Sequence, residues 1–309
     1  MSDSGHGSET GTVDWTRTRL GPVGVWTGLL RAATISEERA AVSRIEDLGY
    51  GSLWTGELIG GKEAFSHAAI VLAASTTLVA GTGIANLWAR HPAAMQGGAS
   101  TIGAAWPGRF VLGVGVSHAP IVDGSGQRYV KPLERMARYL DAMDAAAADA
   151  PVTSVAVPRV LAALRPKMLE LARDRADGAH PYFVPPEHTP AAREALGPDK
   201  LLIPEQAVVL STDPAEARRV ARRHMHNYLL LPNYVNNLKH LGYSDEDVSG
   251  GGSDRLVDAI VAWGDEADIA ERVTLLRDSG ADHVLLQPLA TDLAGALPQL
   301  EALAPAVLG

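Results

Sequence analysis

Eight short apolar runs, rich in β-branched and aromatic residues, alternate along the chain with longer segments of helical period. Runs of this kind are typical of parallel strands, each followed by a helix that crosses back over the sheet. Eight strand-then-helix units predict an α/β fold of the (β/α)8 TIM-barrel type. The predicted strands cover residues 23–27, 52–57, 78–84, 110–116, 159–164, 178–184, 207–211 and 283–288.

Capping residues and one irregular segment refine this pattern. Ser36 is suited to cap a helix over residues 37–48 that stops at Gly49. Residues 229–254 depart from the alternation of strands and helices, because they hold a Leu-Pro-Asn-Tyr turn and three consecutive glycines. They predict an insertion before the last strand, and long connections in compact domains are often functional.

The chain has 309 residues, of which 46% are hydrophobic, so we predict one barrel domain over residues 19–309. Residues 1–18 begin with a polar, Gly- and Ser-rich stretch and are predicted to be a flexible N-terminal tail. The chain has no basic start followed by an apolar core, and no apolar run near the roughly 20 residues that span a bilayer. A cytoplasmic protein without membrane association is expected.

Net charge and amino-acid composition argue against several classes of ligand. The net charge is −9 and no basic run is concentrated, so nucleic acid is not an expected partner. Without cysteine the chain has no disulfide and no thiolate ligand or nucleophile. The ten histidines show no spacing that requires a shared metal, so no metal site is expected. A small-molecule substrate is the expected partner.

The third and fourth predicted strands contain four glycines, which are Gly81, Gly83, Gly113 and Gly115. A glycine at a strand end lets a flat ligand approach the backbone, where a side chain would collide with it. Two neighbouring strand ends of this kind predict the floor of a cofactor site. The alternative is that these glycines only relieve crowding inside a barrel.

The glycine-rich strands belong to a longer stretch, LVAGTGIANLWARHPAAMQGGASTIGAAWPGRFVLGVG over residues 78–115. It resembles the luciferase-like flavin and deazaflavin oxidoreductases, which carry a GTGI strand end, an RHP turn and a GR-x-x-LG-x-G strand. The resemblance extends over residues 20–305. Blocks at residues 178–198, 230–234 and 250–265 are similar to an actinobacterial subgroup that uses coenzyme F420.

The resemblance implies an oxidoreductase that moves a hydride between the deazaflavin coenzyme F420 and a small organic substrate. It also implies a homodimer that pairs its barrels through early helices; residues 65–74 and 93–105 are rich in small residues. These residues could equally pack against the barrel's own strands. Two alternatives stay open: a luciferase-like monooxygenase that uses FMN and oxygen, and a barrel that binds the coenzyme without turnover.

The resemblance further implies a non-prolyl cis peptide between Gly83 and Ile84 against the ring, and backbone amides of Gly178 and Ala179 at the cofactor phosphate. For Gly178 the alternative is a helix C-cap, since it follows a predicted helix. The expected cofactor-binding residues are Gly81, Gly83, Ile84, Asn86, Gly115, Ser117, Arg165, Gly178 and Ala179.

Catalytic candidates follow from the barrel geometry, because active sites of such barrels lie at the carboxyl ends of the strands. Glu57, His118 and His180 are polar residues near predicted strand ends and are the candidate acid/base or substrate-orienting groups. Glu57 is equally suited to a structural ion pair with an arginine such as Arg90 or Arg165. Of the tryptophans, Trp88 is expected to line the pocket.

Overall fold

Helices follow strands around the chain in the computed structural model, which describes residues 9–309. The α-helices are α1 (Glu9–Leu20), α2 (Ile35–Asp47), α3 (Ala64–Ala73), α4 (Pro92–Ala105), α5 (Ala119–Gly124), α6 (Pro132–Ala145), α7 (Pro166–Arg175), α8 (His188–Leu196), α9 (Pro214–Tyr228), α10 (Pro232–His240), α11 (Asp254–Ile260), α12 (Glu266–Asp278) and α13 (Leu293–Leu308). Short 3-10 helices occupy Leu29–Arg31 and Ala147–Asp149. Among these residues no helix is long and apolar enough to cross a membrane.

The strands form one curled sheet of parallel pairs. They are β1 (Val23–Trp26), β2 (Ser52–Thr55), β3 (Val79–Thr82), β4 (Ala85–Asn86), β5 (Phe110–Gly115), β6 (Arg159–Leu161), β7 (Gly178–Ala179), β8 (Leu201–Leu202), β9 (Glu205–Leu210), β10 (Val261–Gly264) and β11 (Val284–Pro288). The strand order is β10-β9-β11-β1-β2-β3-β5-β6-β7-β8, with β4 paired to β5. All the pairs are parallel.

The sheet closes through one continuous segment of chain. Strands β8 and β9 are separated only by Ile203 and Pro204; β8 pairs with β7, whereas β9 pairs with β11. Residues 201–210 therefore act as a single stave that joins β7 to β11. With this stave counted once, and with β4 and β10 left out because each pairs with only one strand, residues 9–309 form eight staves around the barrel, and the (β/α)8 prediction is confirmed.

Three strand predictions need correction. The seventh stave begins at Leu201, six residues before the predicted 207–211, because Pro204 divides an otherwise apolar run. Strand β10 was not predicted, since it continues directly from α11 and its residues extend that helix's apolar run. The sixth strand ends at Ala179 rather than at residue 184, because the chain turns at Phe183, which has φ of +57°.

Helix α1 closes the amino-terminal end of the barrel. Val13 and Leu20 are buried there in one cluster with inward-facing strand residues such as Val111 and Leu285. Arg17 adds an ion pair to Asp282 at 2.8 Å. The predicted flexible tail is therefore wrong for residues 9–18, because two apolar positions seven residues apart give this polar segment one buried face. Residues 1–8 lie outside the described part.

The main core lies between the barrel and its surrounding helices. Leu72 on α3, Leu140 on α6 and Leu300 on α13 are almost completely buried against the outward faces of the strands. Each such side chain contributes about 1.5–3 kcal/mol through its burial. This layer fixes the helices, and thereby holds the loops at the carboxyl ends of the strands in place.

Candidate active site

A cavity of about 500 Å³ opens at the carboxyl ends of the barrel strands. Its floor is Gly83 and Ile84, and its walls come from the loops after most of the staves and from helices α9 and α10. The lining residues are Trp26, Arg31, Gly56, Glu57, Leu58, Gly83, Ile84, Val116, Ser117, His118, Ile121, Ala162, Ala163, Leu164, His180, Tyr182, Arg223, His224, Asn227, Tyr228, Leu231, Asn233 and Tyr234. Mixed apolar and polar walls of this size suit a small-molecule site.

The peptide bond between Gly83 and Ile84 is cis. The amide of Gly83 donates to the carbonyl of Thr55 at 2.9 Å, and its own carbonyl accepts from Trp26 Nε1 at 3.2 Å. A side chain at Gly83 would collide with the Trp26 indole and lie 3.2 Å from His180 Nε2. The space beside Gly83 is therefore already shared by two rings, and only glycine fits this position.

Glu57 lines the cavity next to this floor, with its side chain only 3% exposed. Its Oε2 accepts the amide of Asn86 at 2.7 Å, and its Oε1 accepts the amide of Ala64 at 3.2 Å and a short contact from Arg90. Both carboxylate oxygens are thus engaged by the protein. This arrangement corresponds to the structural ion pair with Arg90, while the catalytic role of Glu57 stays a prediction.

His180 is 1% exposed and stands at the cavity wall beside Gly83. Its Nδ1 donates to the carbonyl of Ile203 at 2.7 Å, whereas its Nε2 has no partner among the described residues. Burial lowers the pKa of His180 to about 4, so the ring is neutral at physiological pH. The free Nε2 is consequently a hydrogen-bond acceptor at the edge of the cavity.

His118 is the N-cap residue of helix α5 and also lines the cavity, next to Ser117, whose φ is +56°. Its Nδ1 lies 3.0 Å from Asn233 Oδ1, and its ring lies 5.1 Å from that of Tyr234. Burial lowers the pKa of His118, which favours its neutral form. Asn233 and Tyr234 belong to the predicted insertion, which therefore covers part of the mouth of the barrel.

An aromatic wall completes the cavity on the side of α9. Tyr182 donates to Gln287 at 2.9 Å and lies 2.8 Å from the hydroxyl of Tyr228. Phe183 stacks on Tyr228 with ring centroids 4.8 Å apart. Burial holds the pKa of Tyr182 and Tyr234 well above their usual range, so the hydroxyls stay protonated.

Behind this wall lies Glu205, a carboxyl group buried inside the barrel. Its Oε2 accepts the amide of Phe183 at 3.2 Å, and its Oε1 has no partner among the described residues. Burial raises the pKa of Glu205 to about 8. Glu205 is therefore predominantly protonated at neutral pH, and sequence reasoning gave no sign of it.

Several expected cofactor residues lie elsewhere. The space left by Gly81 is filled by the Trp54 ring, and that left by Gly115 is filled by Ile84, so these two glycines support packing. Asn86 is buried and accepts the Trp88 amide at 3.0 Å. Trp88 itself donates to Val116, one layer behind the cavity wall, and was wrongly expected to line it; Trp26 does so instead.

Gly178 and Ala179, which are expected to hold the cofactor phosphate, lie within the sheet. They constitute β7 and pair on one side with Val160 and Leu161 and on the other with β8. Their backbone is thus part of the sheet and buried, below the rim of the cavity. Arg165 is exposed at the start of α7, directly after the cavity residue Leu164.

The residues that sequence reasoning missed lie mainly on one face of α9 and the turn after it. They are spaced three or four residues apart, as residues on one face of a helix are. The sequence therefore did contain a signal that they lie together. The face consists of Arg223, His224, Asn227, Tyr228 and Leu231. Among residues 9–309 no three His, Asp or Glu side chains are grouped to hold a metal ion.

Fold and site together define a (β/α)8 barrel with a small-molecule cavity at the carboxyl ends of its strands, floored by a glycine-containing cis peptide. The sequence profile of the luciferase-like monooxygenases matches residues 19–283. The chain belongs to this family.

Relatives and solved structures agree with this assignment. A Mycobacterium tuberculosis protein named as a coenzyme F420-dependent oxidoreductase is 30% identical over 47% of this chain and half of its own length. The 5,10-methylenetetrahydromethanopterin reductase of Archaeoglobus fulgidus is 24% identical over 79% of this chain and 87% of the relative. The structure of an F420-dependent secondary alcohol dehydrogenase superposes with a TM-score of 0.73 and 16% identity, covering 92% of this chain and 98% of that one.

Proposed function

We propose that the protein is a coenzyme F420-dependent oxidoreductase that transfers a hydride between the deazaflavin and a small organic substrate. The observation that carries the proposal is the cavity of about 500 Å³ at the carboxyl ends of the strands, where Gly83 and Ile84 form the floor and the unpartnered Nε2 of His180 lies beside it. The Mycobacterium tuberculosis relative supports the choice of coenzyme through its name.

The residues present fit a tricyclic ring with an anionic tail. Ile84 offers an apolar surface from below, and the small side chains of Ala162 and Ala163 leave room at the side. Ser117 and Arg165 follow the neighbouring strands β5 and β6, so they are the polar and cationic groups proposed for the tail. FMN presents a similar ring and a shorter anionic tail, so it is the alternative cofactor.

The bound coenzyme would supply the hydride donor or acceptor. The protein would orient the coenzyme and the substrate and would donate or accept protons. His180 Nε2 is proposed to accept a hydrogen bond from the ligand, because its lone pair is free and its ring is held by Ile203. His118, neutral and fixed by Asn233, is the second candidate. The tyrosine wall excludes water from the reacting face, which strengthens both polar contacts.

A binding titration tests the proposal. Oxidised coenzyme F420, FMN and NADPH are titrated separately into the purified protein while tryptophan quenching is followed, since Trp26 stands in the cavity. We expect coenzyme F420 to bind at least about tenfold more tightly than FMN, a difference of about 1.4 kcal/mol. Equal or reversed affinities would favour the FMN-dependent monooxygenase, and binding without turnover of any tested alcohol or enone would favour the coenzyme-binding barrel.

A homodimer is proposed through α3 and α4. The outward side of α4 carries the exposed small residues Ala93, Ala94, Thr101 and Ala104, which would permit close helix approach. Gly98 is unavailable for this contact, because Phe65 fills its space within the chain. Multi-angle light scattering at micromolar concentration should give twice the 32.5 kDa mass of one chain; a single-chain mass would refute the dimer.

A further inference from the structure

Two arginines at the cavity form no close ion pair within the part of the chain that the structure describes. Arg31 ends the 3-10 helix that follows β1, and Arg223 lies on α9, which follows β9. Both line the main cavity and also an adjoining cavity of about 370 Å³. Arg31 donates from Nε to the carbonyl of Gly28 at 3.2 Å, and neither guanidinium forms an ion pair among residues 9–309.

The neighbours of Arg223 on α9 show that this lack of a close ion pair is specific. Arg218 pairs with Asp258 at 2.6 Å, and Arg219 pairs with Glu216 at 2.7 Å. Arg222 pairs with Asp254. The arginines of α9 that face away from the cavity are therefore held in close ion pairs with acids of the protein, whereas Arg223 forms no such pair among residues 9–309 and interacts with Glu216 only at longer range.

The arginines also dominate the charge of the two cavities. Glu57 is the single carboxylate among the residues that line either cavity, and Arg90 neutralises it. The cavities are thus positive in a chain of net charge −9. Gly28 helps to hold one cation in place, because a side chain there would come within 2.9 Å of the Arg31 guanidinium.

The position of the pair in the barrel separates it from the tail site proposed above. Arg31 follows β1, and Arg223 follows the stave two places away, with β11 between them. Arg165 follows β6, which lies four staves from β1 in either direction around the closed barrel and two staves from the stave that precedes Arg223. A coenzyme tail that runs toward Arg165 therefore leaves the side of Arg31 free for another ligand, which Arg223 borders.

We infer that Arg31 and Arg223 bind an anionic group of the substrate, a carboxylate or a phosphate, which makes the substrate class a small organic anion. The inference rests on the proposed function for the hydride chemistry, but not for the anion site itself. Thr27, Gln287 and Thr291 line the adjoining cavity and supply further hydrogen-bonding groups for such a ligand. Guanidinium groups without a counter-ion form strong charge-assisted hydrogen bonds with both anion types.

Isothermal titration calorimetry tests the site with inorganic phosphate and succinate as probes, each added to the protein with and without coenzyme F420. We expect a saturable one-site isotherm for at least one probe. Arg31→Gln and Arg223→Gln should each weaken it by about tenfold or more, the effect of one lost charge-assisted hydrogen bond. The matched control Arg219→Gln removes the same charge from the same helix outside both cavities and should bind like the wild type.

A second set of titrations uses the coenzyme as the ligand. Coenzyme F420 and its chromophore without the phosphate and glutamate tail are titrated into the same variants, and both affinities should stay within about twofold of wild type. If the arginine variants lose affinity only for the tailed coenzyme, the arginines hold the tail and the inference is wrong. It is also wrong if neither probe binds the wild type or if both variants bind normally. A wild type that fails to bind coenzyme F420 refutes the proposed function alone, because the coenzyme-free anion isotherms still decide the arginine site.

Discussion

The Nδ1 of His180 donates a hydrogen bond to the carbonyl oxygen of Ile203 at 2.7 Å. Because a carbonyl can only accept, this contact fixes the tautomer and leaves Nε2 as a bare acceptor next to Gly83. Ile203 lies in the stave that closes the barrel, so the orientation of the ring depends on barrel closure.

Substitution of His180 by asparagine or by glutamine tests the roles of its two ring nitrogens separately. Asparagine can retain the donor to Ile203 but not the Nε2 acceptor, whereas glutamine can place an oxygen where Nε2 stands. We expect His180→Asn to lower kcat/KM by about 10- to 100-fold, as for one lost ligand hydrogen bond, and His180→Gln to lower it less. Steady-state kinetics with coenzyme F420 measure both, and equal losses would argue against a role for Nε2.

Glu57 and Arg90 form the second testable pair. Glu57→Gln removes the buried charge partner of a guanidinium that is only 10% exposed and leaves it the half-exposed Glu63 alone, so we expect the free energy of unfolding to fall by about 3–5 kcal/mol. The matched control Glu63→Gln removes the partly exposed second partner of Arg90 and should cost about 1 kcal/mol or less. Urea unfolding measures both values. If Glu57→Gln keeps wild-type stability but lowers turnover by about 10²–10⁴-fold, the catalytic hypothesis for Glu57 is correct and the structural one is not.

At Gly83 the smallest side chain should already be disruptive. In Gly83→Ala the new methyl group would collide with the Trp26 indole and displace it from the Gly83 carbonyl, so coenzyme affinity should fall by about tenfold or more. Gly97→Ala is the control, because a side chain at Gly97 on α4 meets no atom within 4 Å and should not weaken binding. A Gly83→Ala protein that quenches normally with coenzyme F420 would contradict the proposed floor.

The buried carboxyl of Glu205 predicts a pH dependence of stability. Its pKa is about 8 in the folded protein against an ordinary 4.5, so the folded state keeps a proton that the unfolded state has lost between these values. Stability must therefore fall as pH rises through this window. Glu205→Gln should remove this contribution, and its advantage over wild type should grow by about 1.4 kcal/mol per pH unit between pH 5 and 7.5.

Urea unfolding of both proteins across this pH range checks the prediction. Buried histidines such as His283, whose pKa burial lowers to about 4, destabilise the fold in the opposite direction, as pH falls from about 6.5 to 4. Their contribution is common to both proteins and cancels in the difference. The exposed Glu170→Gln is the control for the loss of one carboxylate. A constant difference between wild type and Glu205→Gln would mean that Glu205 titrates normally.

The barrel was predictable because its strands are buried on both sides and read as apolar runs. Gly83 could be predicted as a strand-end glycine, and the structure places it at the cavity, whereas its role as the floor of a cofactor site stays a prediction. The features of the site that could not be predicted depend on contacts between residues that are far apart in the sequence. Nothing around Gly178 in the sequence distinguishes an open strand end from a strand paired on both sides by β6 and β8. The arginines were missed for a different reason: Arg223 stands in a run of arginines, and only the positions of the partner acids show that it differs from Arg218 and Arg219.

The contact between helix α1 and Asp282 joins positions 265 residues apart in the chain. During synthesis, Arg17 leaves the ribosome long before its partner exists, and the lower rim of the barrel stays open until β11 has emerged. Val13 and Leu20 pack in one cluster with strand residues from Trp26 to Leu285, so the burial of these two side chains is completed only in about the last tenth of translation. A chain that stops before residue 282 should therefore depend on chaperones or aggregate.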